Sequence, residues 1–132
     1  KLREHFSHDI TLQASEIVIT SVDERFLQRV MQVIESNVAD TNFGVENLGR
    51  EIGMSRMQLY RKLHALTGHS PSDFIKRMRL QRAAQLLSQD SGTVSEVAYQ
   101  VGFNSHAYFS KCFHDLYGKT PSDFQAEQSG VD

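Results

Sequence analysis

Cysteine is nearly absent: Cys112 is the one thiol in 132 residues. A lone cysteine excludes an internal disulfide and favours a reducing compartment. Long apolar runs are missing as well. Nothing approaches the ~18 consecutive apolar residues of a membrane-spanning helix, and no basic start followed by an apolar stretch and a small-residue cleavage site marks a secretory leader. The chain opens on Lys1 rather than a methionine, so the expectation is a piece of something longer. Chemistry-bearing patterns are lacking too, with no Gly-rich phosphate loop and no nucleophile motif. His106 and Cys112 lie six apart on one expected helix, share no face well, and gain no second ligand pair from His114. His5, His8, His64 and His69 have no partner pattern. Cys112 reads as a small packed residue beside Phe113. No catalytic residue, metal or cofactor is expected, and an enzyme reading is rejected.

Proline is scarce, and its two occurrences are informative. Pro71 and Pro121 fall in GHSPSDF (68–74) and GKTPSDF (118–124). In each, a glycine can close one helix and Ser70 or Thr120 can cap the next. The proline then takes the first helical position, and Asp73 or Asp123 follows three after the cap, as a capping residue rather than a catalytic acid. The agreement extends upstream. Val45, Leu48 and Ile52 before Gly53 match Val94, Val97 and Val101 before Gly102, at an offset of 49. Leu59, Leu63 and Leu66 match Phe109, Phe113 and Leu116 at an offset of 50, so the second copy has one extra residue in its turn, within GFNSHA. Ser55 can cap the second helix of the first copy, and Thr93 with Glu96 forms a capping box in the second copy.

Two helices joined by a short Gly-containing turn form a helix-turn-helix pair. Helices this short bury too little alone, so each pair needs a third element. For the first pair, either helix 21–37 or the segment after Pro71 can serve. The former should open with a Ser21–Glu24 capping box and bury Phe26, Leu27, Val30, Met31 and Ile34; a turn over 40–44 follows. The latter carries Phe74, Met78, Leu80, Ala83, Ala84 and Leu87 as an apolar stripe. It should be one helix of about 18 residues, ~27 Å long. That is the scale of a spacer between two recognition helices ~34 Å apart on B-DNA. The fold class expected is all-α: two homeodomain-like three-helix units joined by a central linker helix. The organisation expected is a connector over 1–20, the amphipathic helix 21–37, a first helix-turn-helix subdomain 38–70, the linker 71–89, a second subdomain 90–126 and a tail 127–132. Ile10, Leu12 and Ile17–Ile19 suggest that the connector is extended. Tyr99, Phe103, Tyr108 and Tyr117 are expected in the core of the second unit or at its edge.

Charge is segregated along the chain. Arg50 to Arg82 hold eight basic residues against two acids, a local +6, whereas residues 1–43 hold four bases and seven acids, although the net charge is −2. Segregation of this kind marks a polyanion-facing region better than the total does; a solvated helix face is the other reading of charge alone.

GMSRMQLYRKLHALTGHSPSDFI, RLQRAAQLL and VSEVAYQVGFNSHAYFSKCFHDLYGKTPSDF together resemble the DNA-binding domain of AraC-type transcription regulators, over roughly 38–126. The stretch FSHDITLQASEIVITSVDERFL resembles the connector after a receiver domain in hybrid two-component regulators of polysaccharide-utilisation genes. The resemblance implies sequence-specific binding to double-stranded promoter DNA, with activation of transcription when an upstream receiver is phosphorylated. RNA polymerase is an implied partner, as is a homodimer through upstream domains, with no small-molecule ligand in this part. The implied location is cytoplasmic, in a parent anchored in the inner membrane that can carry histidine kinase activity. The front of the second helix of a pair enters the major groove, so the base-reading residues expected are Arg56, Met57, Tyr60 and Arg61 in the first pair. In the second they are Ser105, His106, Ala107, Ser110 and Lys111. The second set is chemically weaker, and the first unit should supply most of the electrostatic affinity. Arg50, Lys62 and Arg77 are expected on phosphates, whereas Arg79 and Arg82, near the apolar stripe, suit a structural ion pair at least as well. A helical protein-interaction bundle without DNA binding is the alternative, and would lack a steep salt dependence.

Overall fold

In the computed structural model, which describes residues 20–129, the chain forms seven helices and no strand within that span. The connector expected over 1–20 lies outside the described residues except for Thr20, as do His5, His8 and 130–132 of the tail. The first helix, α1 (Ser21–Ser36), starts at the residue expected to be its cap, and the cap lies one residue earlier. Thr20 is the N-cap: its hydroxyl accepts from Asp23 N–H at 3.1 Å while the Asp23 carboxylate accepts from Thr20 N–H. Thr20 is extended (φ −82°, ψ 166°) and Ser21 is already helical, so the box runs Thr20–Asp23 rather than Ser21–Glu24. The remaining helices are α2 (Val45–Ile52), α3 (Arg56–Thr67), α4 (Pro71–Ser88), α5 (Val94–Gln100), α6 (His106–Tyr117) and α7 (Pro121–Ser129). No described helix is long and apolar enough to cross a membrane.

Local chemistry sets most of these boundaries. Ser55 and Gln58 form a reciprocal capping box on α3, and Thr93 and Glu96 do so on α5. Ser70 and Thr120 accept the N–H of Asp73 and Asp123, capping α4 and α7. The helices that precede them close on Gly68 and Gly118, both left-handed. The α4 helix is unbroken for 18 residues.

The molecule divides into two compact units, and the division falls inside α4, between Met78 and Arg79. In the first unit the core joins Leu27, Val30 and Ile34 of α1, Leu48 of α2, Leu59, Leu63 and Leu66 of α3, and Phe74, Ile75 and Met78 of α4. Both candidate third elements are therefore used. Each such leucine or phenylalanine stabilises the unit by about 1.5–3 kcal/mol relative to exposure. Arg29 of α1 also donates to the Glu51 carbonyl at 2.8 Å, tying α1 to the end of α2.

The second unit holds Val38–Asn42 and everything described from Arg79 onward. Leu80, Ala83, Ala84 and Leu87 of α4 are buried there with Val97, Ala98, Val101, Phe103, Phe109, Cys112 and Phe113. Aromatic rings run through it: Phe103 meets Phe109 edge-on at 5.2 Å, and Phe113 meets both Tyr117 (4.7 Å) and Phe124 (5.4 Å). Phe124 makes α7 part of this core; Lys119 is paired with Glu127, and Gln125 donates to the Gly92 carbonyl at 2.8 Å. One of the four aromatic expectations needs correcting. Tyr99 is 73% exposed, because Val97 and Ala98 occupy the inner side of α5. Tyr108 is 52% exposed but lies at the edge of the core, its ring 6.0 Å from that of Phe103.

Candidate nucleic-acid interface

In the first unit, α2, a three-residue turn (Gly53, Met54, Ser55) and α3 make the helix-turn-helix pair. Gly49 lets the turn close. A Cβ there would come within 2.9 Å of the Met54 carbonyl oxygen, and the N–H groups of Gly53 and Met54 both donate to Gly49 O. The equivalent position in the second pair is Ala98, where the turn is one residue longer and Phe103 N–H reaches Ala98 O at 3.0 Å.

With Leu59, Leu63 and Leu66 turned inward, the front of α3 presents Arg56, Met57, Tyr60 and Arg61, all exposed. Met57 is 62% and Tyr60 47% exposed, so two large apolar groups face outward amid guanidinium groups. Arg61 Nη2 lies 3.2 Å from Met57 Sδ, and the Tyr60 ring stacks on His64 with centroids 5.3 Å apart. Both contacts are one helical turn long and hold these side chains against the helix surface. Gly53, Met54, Gln58, Arg61 and Lys62 line an open concavity beside the turn.

The three expected phosphate contacts differ in their surroundings. Arg50 is exposed on α2. Lys62 is 3.8 Å from Asp23 and lies over the Phe26 ring, 4.7 Å from its centroid, so α1 already engages it. Arg77 donates from Nε to Asp73 at 2.8 Å. Asp73 also accepts from His69 Nδ1 (3.0 Å) and lies 3.7 Å from Lys76. Burial by itself would raise the Asp73 carboxyl, but the Arg77 hydrogen bond and charge, with His69 and Lys76, hold it below the usual carboxylate range. Burial, with Arg77 nearby, lowers the His69 imidazole, and its Nε2 is buried without a hydrogen-bond partner among the described residues.

In the second unit, Ser105 is the N-cap of α6 and accepts from Tyr108 N–H at 3.1 Å, so its hydroxyl is committed to the helix start. His106 and Ala107 are exposed and Ser110 half-buried. Lys111 pairs with Asp115 at 3.1 Å, and that hydrogen bond raises its pKa. Among the described residues Lys111 has a carboxylate partner, whereas Arg56 and Arg61 have none. Tyr108, not among the residues expected there, sits outward in the first turn of α6. Its place just before Phe109 was the available signal. Arg79 is turned inward, where its guanidinium donates to backbone carbonyls of Val38, Asp40 and Val101 and feels the Asp40 charge. Arg82 donates to Gln85 at 2.7 Å.

Two helix-turn-helix pairs on one chain, each with its second helix capped, exposed at the front and buried behind, define a double helix-turn-helix DNA-binding domain. Residues 48–127 match the family model described as "Helix-turn-helix domain". The chain belongs to the AraC-type family of helix-turn-helix DNA-binding transcription regulators, a non-enzymatic domain that binds double-stranded DNA. It is 41% identical over 129 residues, 98% of its length, to "Histidine kinase P4" of Formosa agariphila, but spans only 9% of that protein. Among solved structures, the DNA-binding domain of AdpA in complex with a target DNA has 28% identity and a TM-score of 0.72, covering 79% of this chain and 93% of that one. The C-terminal domain of the two-component response regulator yesN from Fusobacterium nucleatum has 26% identity and a TM-score of 0.68, covering 74% and 95%.

Proposed function

We propose that this domain is the output end of a two-component phosphorelay and reads a bipartite promoter site through the major groove, with α3 as the principal reader and α6 as the weaker one. The observation that carries this reading is the front of α3, where Arg56, Met57, Tyr60 and Arg61 stand exposed on a helix whose opposite face is fully buried. Arg61 and Arg56 suit guanine O6 and N7, Met57 suits a thymine methyl, and Tyr60 can stack or donate its hydroxyl. On α6 the readers are His106, Ala107, Ser110 and Lys111, and Ser105 contributes its cap and the helix-start N–H groups rather than base contact. Arg50 takes the strongest phosphate contact. Lys62 and Arg77 take weaker ones, because each shares its charge with an aspartate.

The phosphorelay assignment is supported by likeness to a protein named as a histidine kinase and to the end domain of a response regulator. From the sequence resemblance to AraC-type and hybrid two-component regulators, the domain acts in the cytoplasm as an activator that engages RNA polymerase. Upstream parts pair it into a homodimer, and the genes controlled serve polysaccharide use. The domain organisation we propose keeps 38–70 and 90–126 as the bounds of the two reading subdomains, with 71–89 between them and Val38–Asn42 belonging by its packing to the second unit.

Selection of bound duplexes from a random-sequence pool by this chain tests the reading. Two half-elements are expected. Enrichment of a single half-element would leave α6 without a reading role, and no enrichment would remove sequence-specific binding altogether.

A further inference from the structure

The turns of the two pairs carry equivalent glycines in unlike surroundings. Gly53 and Gly102 share the left-handed conformation, with φ of +83° and +89°. A Cβ on Gly53 would meet nothing within 4 Å, but one on Gly102 would fall 1.6 Å from Arg79 Nη1 and 2.6 Å from the Val38 carbonyl oxygen. The space at Gly102 is filled by the Arg79 guanidinium.

Arg79 is only 7% exposed. Nη1 donates to Val101 O at 3.0 Å and to Val38 O, and Nη2 donates to Asp40 O at 3.0 Å. Burying a cation costs several kcal/mol unless its donors are satisfied, and here three backbone carbonyls do so. A rigid planar fork can address carbonyls in several directions at once, which a lysine ammonium on a flexible stem does poorly. The acceptors are not scattered. Val101 follows the last residue of α5 and precedes Gly102, so its carbonyl lies at the head of the turn that launches α6. Val38 and Asp40 belong to the segment between α1 and α2, which is itself part of the second unit.

We infer that Arg79 is a positioning residue for DNA readout: by holding the Val101 carbonyl and the Val38–Asp40 backbone on one guanidinium, with Gly102 vacating the space, it sets the turn that aims α6. The first pair has no such clamp at Gly53, and its shorter turn is held instead by the close approach to Gly49. The inference rests on the bipartite reading, because aim matters only if α6 touches DNA.

The test is hydroxyl-radical footprinting of this chain on a duplex selected from the random pool, with thermal unfolding measured in parallel. Arg79→Lys keeps the charge and loses the fork. A folded Arg79→Lys protein should lose protection over one half-element and bind about tenfold more weakly, the scale of one good base contact. Should Arg79→Lys not fold, Gly102→Ala is read in the same way, and Gly53→Ala supplies the effect of left-handed strain alone and should leave that half-element protected. A full footprint with affinity within twofold of the parent, from either folded variant, overturns the inference. If the unaltered chain itself protects only one half-element, the bipartite reading fails first and takes this inference with it.

Discussion

Arg61 and Lys111 occupy equivalent positions, yet Lys111 is paired with Asp115 and Arg61 rests against Met57. Arg61→Ala should therefore cost about 1–3 kcal/mol of operator binding and relax the preference at one base position, whereas Lys111→Ala should cost less. Affinities on the selected duplex check this, and a larger loss for Lys111→Ala would reverse the ranking of the two pairs. His69 gives a pH prediction. Its folded pKa lies below the ordinary 6.5 because burial and Arg77 oppose the charged form. Stability from this group is therefore complete above 6.5 and declines as pH falls below it, while the unfolded chain takes up the proton first. The Asp73 carboxyl is lowered too, so its contribution is present above the ordinary 3.8 and is lost only as pH falls further, through its folded value. Urea midpoints should drop between pH 7.5 and 5.5, and the drop should shrink in His69→Asn; an unchanged drop would show that His69 is not its source.

At the level of elements, the capping grammar was readable because an N-cap and its partner are three residues apart and need no distant neighbour. The Thr20 cap was misplaced by one residue since Ser21–Glu24 and Thr20–Asp23 are chemically equivalent until the backbone chooses between them. Ser55→Ala should destabilise α3 by about 1 kcal/mol, the usual cost of a lost cap, measurable as a lower urea midpoint. Gly49→Ala is the sharper test of the turn. Helix propensity favours alanine by up to about 1 kcal/mol, but the added methyl would meet the Met54 carbonyl oxygen at 2.9 Å. The steric term should win, giving net destabilisation of about 1–3 kcal/mol. The converse Ala98→Gly should cost about 1–2 kcal/mol, the propensity difference plus the lost burial of its methyl.

For the whole molecule, the salt dependence of binding counts the phosphate contacts. Arg50→Ala should reduce the slope of log K against log salt by about one. Lys62→Ala and Arg77→Ala should reduce it by less, because Asp23 and Asp73 already offset part of each charge. Equal reductions from all three would mean that these ion pairs dissolve on the duplex. Asp73, four residues before Arg77 on the same helix, is legible in sequence as its partner, whereas nothing in the sequence pairs Lys62 with Asp23. Asp23 reaches Lys62 only once α1 is docked on the first unit.

By itself the sequence determined what depends on short spacings: helix ends, buried stripes, the duplicated pair and the family. These follow from chemistry acting within about seven residues, or from a pattern repeated along the chain. Only the tertiary structure decided that Asp23 of α1 engages Lys62, and where Arg79 goes. Those outcomes depend on groups 22 to 41 residues away in sequence, brought together by burial, and backbone carbonyls that bind a guanidinium leave no mark in the residue names.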